Sequence, residues 1–144
     1  MRPAKWTWKN VEMEGDLLDA LALRFEAGLI EAALSGLAWN RTEAQQLELL
    51  AHLGDLYGRL GDLRKGLEVD KRLVRIRPDE PIFHYNLACT HSRLGHVDSA
   101  FEALREAIRL GYQNFEHLRA DRDLDNLKKD ARFRRLLQQM DKSL

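Results

Sequence analysis

Apolar residues recur every three or four positions along most of the chain, which predicts helices that each pack through one face. The pattern is clear on both sides of Gly61, for example at Leu63, Leu67 and Leu73 after it. Because glycine enters the left-handed conformation at little cost, Gly61 is expected to end one helix and turn the chain into the next. The pattern therefore predicts antiparallel helix pairs joined by short turns.

The pattern repeats with a period of 34 residues: the segment YGRLG at positions 57–61 recurs as HSRLG at positions 91–95. Small residues fall on small residues at this offset, which predicts where paired helices approach to about 8–10 Å. These contact points are Gly54 with Gly66, and Ala88 with Ala100. Pro78 is expected to close the second helix of the first unit, with Asp79 capping the next helix and Pro81 in its first turn.

The period and the residues resemble the tetratricopeptide repeat, a 34-residue helix-turn-helix unit. The resemblance implies an all-α fold: an α-α solenoid of about three such units with a C-terminal capping helix segment. Asp70 departs from the family pattern, which usually has a large apolar residue there, and Leu73 stands where alanine is usual. The residues that carry the resemblance are Leu53, Gly54, Tyr57, Gly61, Gly66 and Pro78, and then Leu87, Ala88, Gly95, Ala100, Leu104 and Ala107.

We divide the chain into an N-terminal arm, residues 1–13, and a tetratricopeptide domain, residues 14–144. The domain comprises a degenerate repeat at 14–46, repeats at 47–80 and 81–114, and a capping segment at 115–144. In the degenerate repeat, Gly28 is expected to form the turn and Trp39 to lie in the core. The arm carries Trp6 and Trp8 outside any helix, and we expect it to fold back over the face that includes Leu17, Leu18 and Leu21.

The capping segment is similar to a bacterial ending found on many such arrays. Arg122 and Ala131 stand where that ending commonly has proline, which leaves the nearby helix starts less sharply set without changing the architecture. The last helix carries one apolar stripe, suited to covering the open end of the last repeat. Its members are Phe133, Leu136, Leu137 and Met140.

Composition narrows the function classes. The 144 residues contain 23 Lys plus Arg and 23 Asp plus Glu, so the net charge is zero and neither nucleic acid nor a membrane is an expected partner. No run of about 18 apolar residues and no secretory signal is present, and Cys89, the single cysteine, forms no intrachain disulfide. We expect a cytoplasmic protein.

No residue pattern indicates catalysis, a metal or a cofactor. His84 and His91 occupy positions where repeats bury an aromatic, and Cys89 lies in mid-helix without a base beside it. A calcium loop lacks its glycine and its closing glutamate, so helix caps and solvated charges are the interpretation of Asp121, Asp123, Asp125 and Asp130. The basic residues Lys71, Arg72, Arg75 and Arg77 are interpreted as a solvated face.

The function expected from the resemblance is protein-protein interaction, with a protein or peptide partner bound on the concave face. The alternative is a self-associating or accessory subunit whose contacts lie on the surface of the first repeat; monomer and weak homodimer both stay open. Arg93, beside Tyr85 and without an acidic residue one turn before it, is the predicted contact to an acidic peptide; the alternative is that Arg93 pairs across the turn with Asp98 or stacks on a neighbouring helix. The predicted partner-binding groove comprises Leu18, Phe25, Asp55, Arg59, Tyr85, Cys89, Ser92 and Arg93.

Overall fold

The computed structural model describes residues 8–36 and 41–142, and of residues 8–15 the backbone alone. Helices dominate this part of the chain, and the prediction of an all-α fold of tetratricopeptide type is confirmed. The helices are α1 (Trp8–Ser35), α2 (Glu43–Leu60), α3 (Leu63–Ile76), α4 (Pro81–Arg93), α5 (Val97–Arg109), α6 (Phe115–Ala120), a 3₁₀ helix (Arg122–Leu124), α7 (Asp125–Lys128) and α8 (Ala131–Lys142).

The chain divides after Gly61 into two compact units. In the first unit α1 packs against α2, and in the second α4 packs against α3, α5, the 3₁₀ helix and α7. The boundary lies inside the predicted repeat 47–80, at the turn between its two helices. The predicted limits of the arm and the repeats stay predictions.

The glycine turns are as the sequence indicates. Gly61 has φ 70° and Gly95 has φ 77°, both in the left-handed region, and Gly61 donates its backbone N–H to the carbonyl of Gly58 at 3.2 Å. A Cβ at either position would disfavour this conformation. The two glycines therefore set where α2 and α4 end.

The first unit differs from its prediction, because α1 is one continuous helix of 28 residues. Gly28 lies inside it and forms no turn, although glycine costs a helix interior up to about 1 kcal/mol. Ala27 and Ile30, on either side of Gly28, are buried, and their burial offsets that cost. Trp8 begins α1, so it does not lie outside a helix; Trp6, Trp39 and the placement of the arm lie outside the described residues.

Side-chain caps define the starts of the helices. Thr42 and Gln45 form a capping box at α2, in which Thr42 Oγ1 accepts from the Gln45 N–H at 3.2 Å and Gln45 Oε1 accepts from the Thr42 N–H at 3.0 Å. The cap of α4 is Glu80 and not Asp79, with Pro81 at the first helical position as expected. Arg77 follows the last residue of α3, so that helix ends before Pro78.

The core of the second unit is built from alanines between α4 and α5 and from large side chains of the capping segment. Ala88 and Ala100 are fully buried, as are Leu118, Leu124 and Leu127. Phe133, Leu136 and Met140 of α8 join the same core and Leu137 packs at its edge, so the predicted apolar stripe covers the last helix pair. The 3₁₀ helix begins at Arg122 and α8 begins at Ala131, although neither position holds the proline that is common in the bacterial ending.

Asp70, which stands where the tetratricopeptide pattern usually has a large apolar residue, is a buried carboxyl group. Asp70 is 7% exposed, and Thr90 Oγ1 donates to Asp70 Oδ2 at 2.6 Å. Burial raises the pKa of Asp70 to about 6, and the Thr90 hydrogen bond lowers it only in part. The folded state therefore binds this proton more tightly than the unfolded chain does.

Replacing Gly95 with Ala should destabilise the fold, since the left-handed conformation costs a residue with a Cβ about 1–2 kcal/mol. Gly58→Ala is the matched control, because Gly58 lies in α2 with open space around it and no positive φ. That variant should gain about 0.5–1 kcal/mol. Urea midpoints measure both changes, and equal midpoints for the two variants would contradict the assigned role of Gly95.

Asp70→Asn should stabilise the protein above pH 6 and lose this advantage towards pH 4. Asp70 has a higher pKa in the folded state than in the unfolded chain, so the free energy of unfolding falls as the pH rises between the two values. A shift of two pKa units corresponds to a loss of at most about 3 kcal/mol in that free energy. Thermal melting of the variant, the wild type and the exposed control Asp79→Asn at pH 4.5 and 7.5 measures the effect. A gain of equal size at both pH values would refute the raised pKa.

Candidate functional site

The eight predicted partner-binding residues fall into two sets. Leu18 and Phe25 on α1, and Asp55 and Arg59 on α2, are exposed in the first unit. Three residues of α4 in the second unit are buried: Tyr85 is 3% exposed, Cys89 8% and Ser92 not at all. Only the first set and Arg93 present their side chains at the surface, so the sequence-based set is not one continuous surface.

The most prominent surface feature is an apolar row along α1, which we define as Leu17, Leu18, Leu21, Phe25 and Leu29. These side chains are between 52% and 71% exposed, with Phe25 the most exposed at 71%. Their spacing of three or four residues places them on one side of the helix. Isolated exposed leucines are ordinary, but five large apolar side chains in a row indicate an interaction surface.

The opposite side of α1 is apolar too, and it is buried. Ala27 and Ile30 are less than 9% exposed, and α2 contributes Leu50, Leu53 and Leu56 as fully buried residues. Helix α1 thus carries two apolar faces, while one neighbouring helix can cover only one. The apolar row is the face left over.

Polar contacts hold α1 against α2, so the row lies on a packed helix. His52 Nε2 donates to Glu26 Oε1 at 2.6 Å, and the Tyr57 hydroxyl donates to Glu31 Oε1 at 3.1 Å. The Arg41 guanidinium donates to the Ala33 carbonyl at 2.7 Å. A groove of about 450 Å³ lies beside the His52 contact, lined by Arg41, Gln45, Glu48, Leu49 and His52.

In the second unit the capping segment covers the residues that were expected to form part of the groove. The Tyr85 hydroxyl donates to Asp121 Oδ2 at 2.7 Å, and the Tyr85 ring stacks on Tyr112 with centroids 4.3 Å apart. The Asn126 side chain donates to the Ser92 carbonyl at 2.7 Å. Tyr85 and Ser92 therefore have structural contacts within this unit.

Arg93 is not the unpaired cation that the sequence predicted. Its Nε lies 3.6 Å from Asp123 Oδ1, on the 3₁₀ helix that follows α6. The other candidate partner, Asp98, pairs instead with Arg132 at 2.7 Å. Nothing in residues 89–92 indicated this pairing, because Asp123 lies 30 positions farther along the chain.

The cluster around Cys89 brings three possible ligand atoms together, and its Asp121 oxygens already accept hydrogen bonds. Cys89, Asp121 and Asp123 each offer a ligand atom within 4.8 Å of the others. Burial, followed by the nearby Asp121 carboxylate, raises the pKa of the thiol, so the sulfur is neutral in this structure. Asp121 Oδ2 already accepts the Tyr85 hydroxyl, and Asp121 Oδ1 accepts the Asp123 N–H at 2.9 Å. The helix-cap interpretation is thereby confirmed for Asp121.

The histidines at repeat positions have structural contacts. His84 is buried, and its Nε2 donates to the Pro78 carbonyl at 2.7 Å. His91 is half-buried, and its Nδ1 lies 3.2 Å from Nδ1 of His96. The predicted core or half-buried roles of His84 and His91 are confirmed.

Comparison with known proteins agrees with the fold. Residues 83–111 match the family model described as Tetratricopeptide repeat. The chain is 33% identical over 151 aligned positions to a protein of Arabidopsis thaliana whose name describes it as chloroplastic. This alignment covers 93% of the chain and 43% of the relative, so the chain spans less than half of that protein's length. No solved structure matches the chain.

The helix pairs and the matched repeat support a fold of tetratricopeptide type, and such repeats generally mediate protein-protein interaction. The resemblance of the last residues to a bacterial ending stays a prediction. Among the described helices, none is both long and apolar enough to cross a membrane.

Sequence reasoning placed Leu17, Leu18 and Leu21 on one face of the first repeat but did not extend that face to Leu29. The turn expected at Gly28 separated Leu29 from the other four. Once α1 is known to be continuous, the spacing of the five residues identifies the row from the sequence.

The Cys89 thiol should be inert in the folded protein because it is buried and its pKa is raised. The reaction with an aromatic disulfide reagent is expected to be at least about 100-fold slower in the native state than in guanidinium, since thiolate and access are both required. A Cys89→Ala, Ser99→Cys variant places an exposed thiol on α5 as the control, and it should react quickly. A native Cys89 that reacts as fast as the control would contradict this assignment.

Proposed function

We propose that this chain is a non-catalytic protein-interaction module that binds its partner on the apolar row of α1. One observation carries the proposal: five large apolar side chains lie exposed along a helix whose other face is already packed. Two of the sequence-predicted contact residues, Leu18 and Phe25, belong to this row. The tetratricopeptide type supports the same function class.

The proposal keeps the exposed residues of the first unit from the sequence-based site and drops its three buried residues. Asp55 and Arg59 are exposed on α2 and stay candidate contacts. Tyr85, Cys89 and Ser92 would have to leave the core to reach a ligand, which would break the Tyr85–Asp121 hydrogen bond and expose buried apolar surface. The α4 side of the predicted groove is therefore not part of the proposed site.

Chemistry by these residues is not part of the proposal. The buried thiol is neutral. Burial alone would raise the pKa of the Asp121 carboxyl, but the hydrogen bonds from Tyr85, the Asp123 N–H and Cys89, together with the nearby His117, lower it below its ordinary value, so this carboxylate stays ionised and occupied. A general acid or base needs a pKa near neutrality and access to a substrate. The cytoplasmic location also stays a prediction; the name of the relative assigns that relative to the chloroplast.

A photo-crosslinking residue at position 25 should capture a discrete partner protein from the cells that make this chain. The control position is Ile82 on α4, which is also a large apolar residue and is 42% exposed. The same probe there should give no such adduct. Adding Leu18→Glu should reduce the position-25 adduct at least tenfold while moving the melting temperature little, since Leu18 is 66% exposed.

Two results would contradict this function. One is equal capture by the probes at positions 25 and 82, because it indicates non-specific attachment to any apolar side chain. The other is a position-25 adduct that survives Leu18→Glu and Leu21→Glu together. In either case the apolar row would not be the binding surface.

A further inference from the structure

Resting on the proposed function, we infer that the partner presents an amphipathic helix whose apolar stripe is flanked by lysine or arginine along one edge. The apolar row runs from Leu17 to Leu29 on a single helix. At 1.5 Å per residue this is about 18 Å, or just over three turns. A second helix of about the same length can interleave its side chains with a row of this spacing.

The charges around the row determine which amphipathic helix fits. Among residues 16–35, Asp16, Asp19, Glu26 and Glu31 are acidic and Arg24 alone is basic. Asp19 and Glu26 are seven residues apart, so they lie on one edge of the row, separated by about two turns or 10.5 Å. Arg24 and Glu31 lie on the other edge, where opposite charges balance.

Glu26, on the acidic edge, also contacts α2. His52 Nε2 lies 2.6 Å from Glu26 Oε1 and lines the groove on α2, where Glu48 and Arg41 balance in charge. A long basic side chain from a helix on the row has Asp19 and Glu26, both exposed, along one edge. The net charge of the whole chain does not reveal this acidic edge, because an excess of basic residues in the second unit brings the total to zero.

The same charges disfavour a second copy of this chain. Two α1 helices packed antiparallel through their rows would bring the edge with Asp19 and Glu26 of one copy against the same edge of the other. An anionic membrane surface is disfavoured for the same reason. A basic amphipathic helix removes the repulsion and adds attraction.

Two labelled synthetic peptides test the inference on the full chain. Both are helical, about 18 residues long and carry the same leucine stripe; one has lysines and the other glutamates along the flanking edge. Fluorescence anisotropy should show the lysine peptide binding at least tenfold more tightly, with an affinity that falls as salt is raised. Phe25→Glu should abolish binding of both peptides, and Ile82→Glu should not.

Charge variants locate the edge. Asp19→Lys should weaken the lysine peptide at least fivefold and strengthen the glutamate peptide. Glu102→Lys makes the same change in net charge on an exposed position of α5 and should alter neither affinity. Equal effects of the two variants would show that the peptides sense total charge, and this would overturn the inference.

Other occupants give distinct results that would also overturn it. Equal affinity for both peptides means that charge does not select the partner. A dimer in sedimentation velocity that Phe25→Glu dissolves identifies a second copy, and a tenfold gain in peptide affinity on deleting residues 1–7 identifies the chain's own arm. If the position-25 probe captures a protein while the lysine peptide does not bind, this inference is wrong and the proposed function stands; if both fail, both are wrong.

Discussion

A helix packed against one neighbour can bury one face, and α1 carries two apolar faces. This constraint shapes the first unit and its surface. Ala27 and Ile30 are buried on one side, and Leu17, Leu18, Leu21, Phe25 and Leu29 are left on the other. Leaving five such side chains in water has a free-energy cost, since each large apolar side chain gains about 1.5–3 kcal/mol when fully buried. That free energy is available to whatever covers the row.

In the second unit, the apolar faces of the helices are covered by other helices of the same unit. Small side chains at Ala88 and Ala100 let α4 and α5 lie close together, and the capping segment then covers the faces that the pair leaves open. Arg132 at the start of α8 connects the segments: it bonds Asp98 and Asp130, and its guanidinium lies 4.4 Å from the centre of the Phe101 ring. The last helix pair is thus closed, whereas α1 is not.

The polar groups inside the second unit serve the packing of its helices. Asp70, Tyr85, Cys89 and Asp121 form hydrogen bonds with one another or with Thr90, and burial moves the pKa of Asp70 and the Cys89 thiol upwards. Hydrogen bonds of this kind position helices, because an unsatisfied buried polar group costs about 1–3 kcal/mol. They leave no free acid, base or nucleophile among these four residues facing a substrate.

The sequence by itself determined the features that depend on near neighbours. The 34-residue period, the left-handed turns at Gly61 and Gly95 and the apolar stripe of α8 follow from local conformational preference and helical spacing, so they could be predicted. Tertiary structure decided the features that depend on distant residues. Asp123 pairs with Arg93 and Asp121 covers Tyr85 across about 30 positions, and the burial of Ala27 and Ile30 carries α1 through Gly28. Helical spacing shows which residues share a face, but only the packed fold shows which faces another helix covers, and that is why three of the eight predicted site residues are buried and five are exposed.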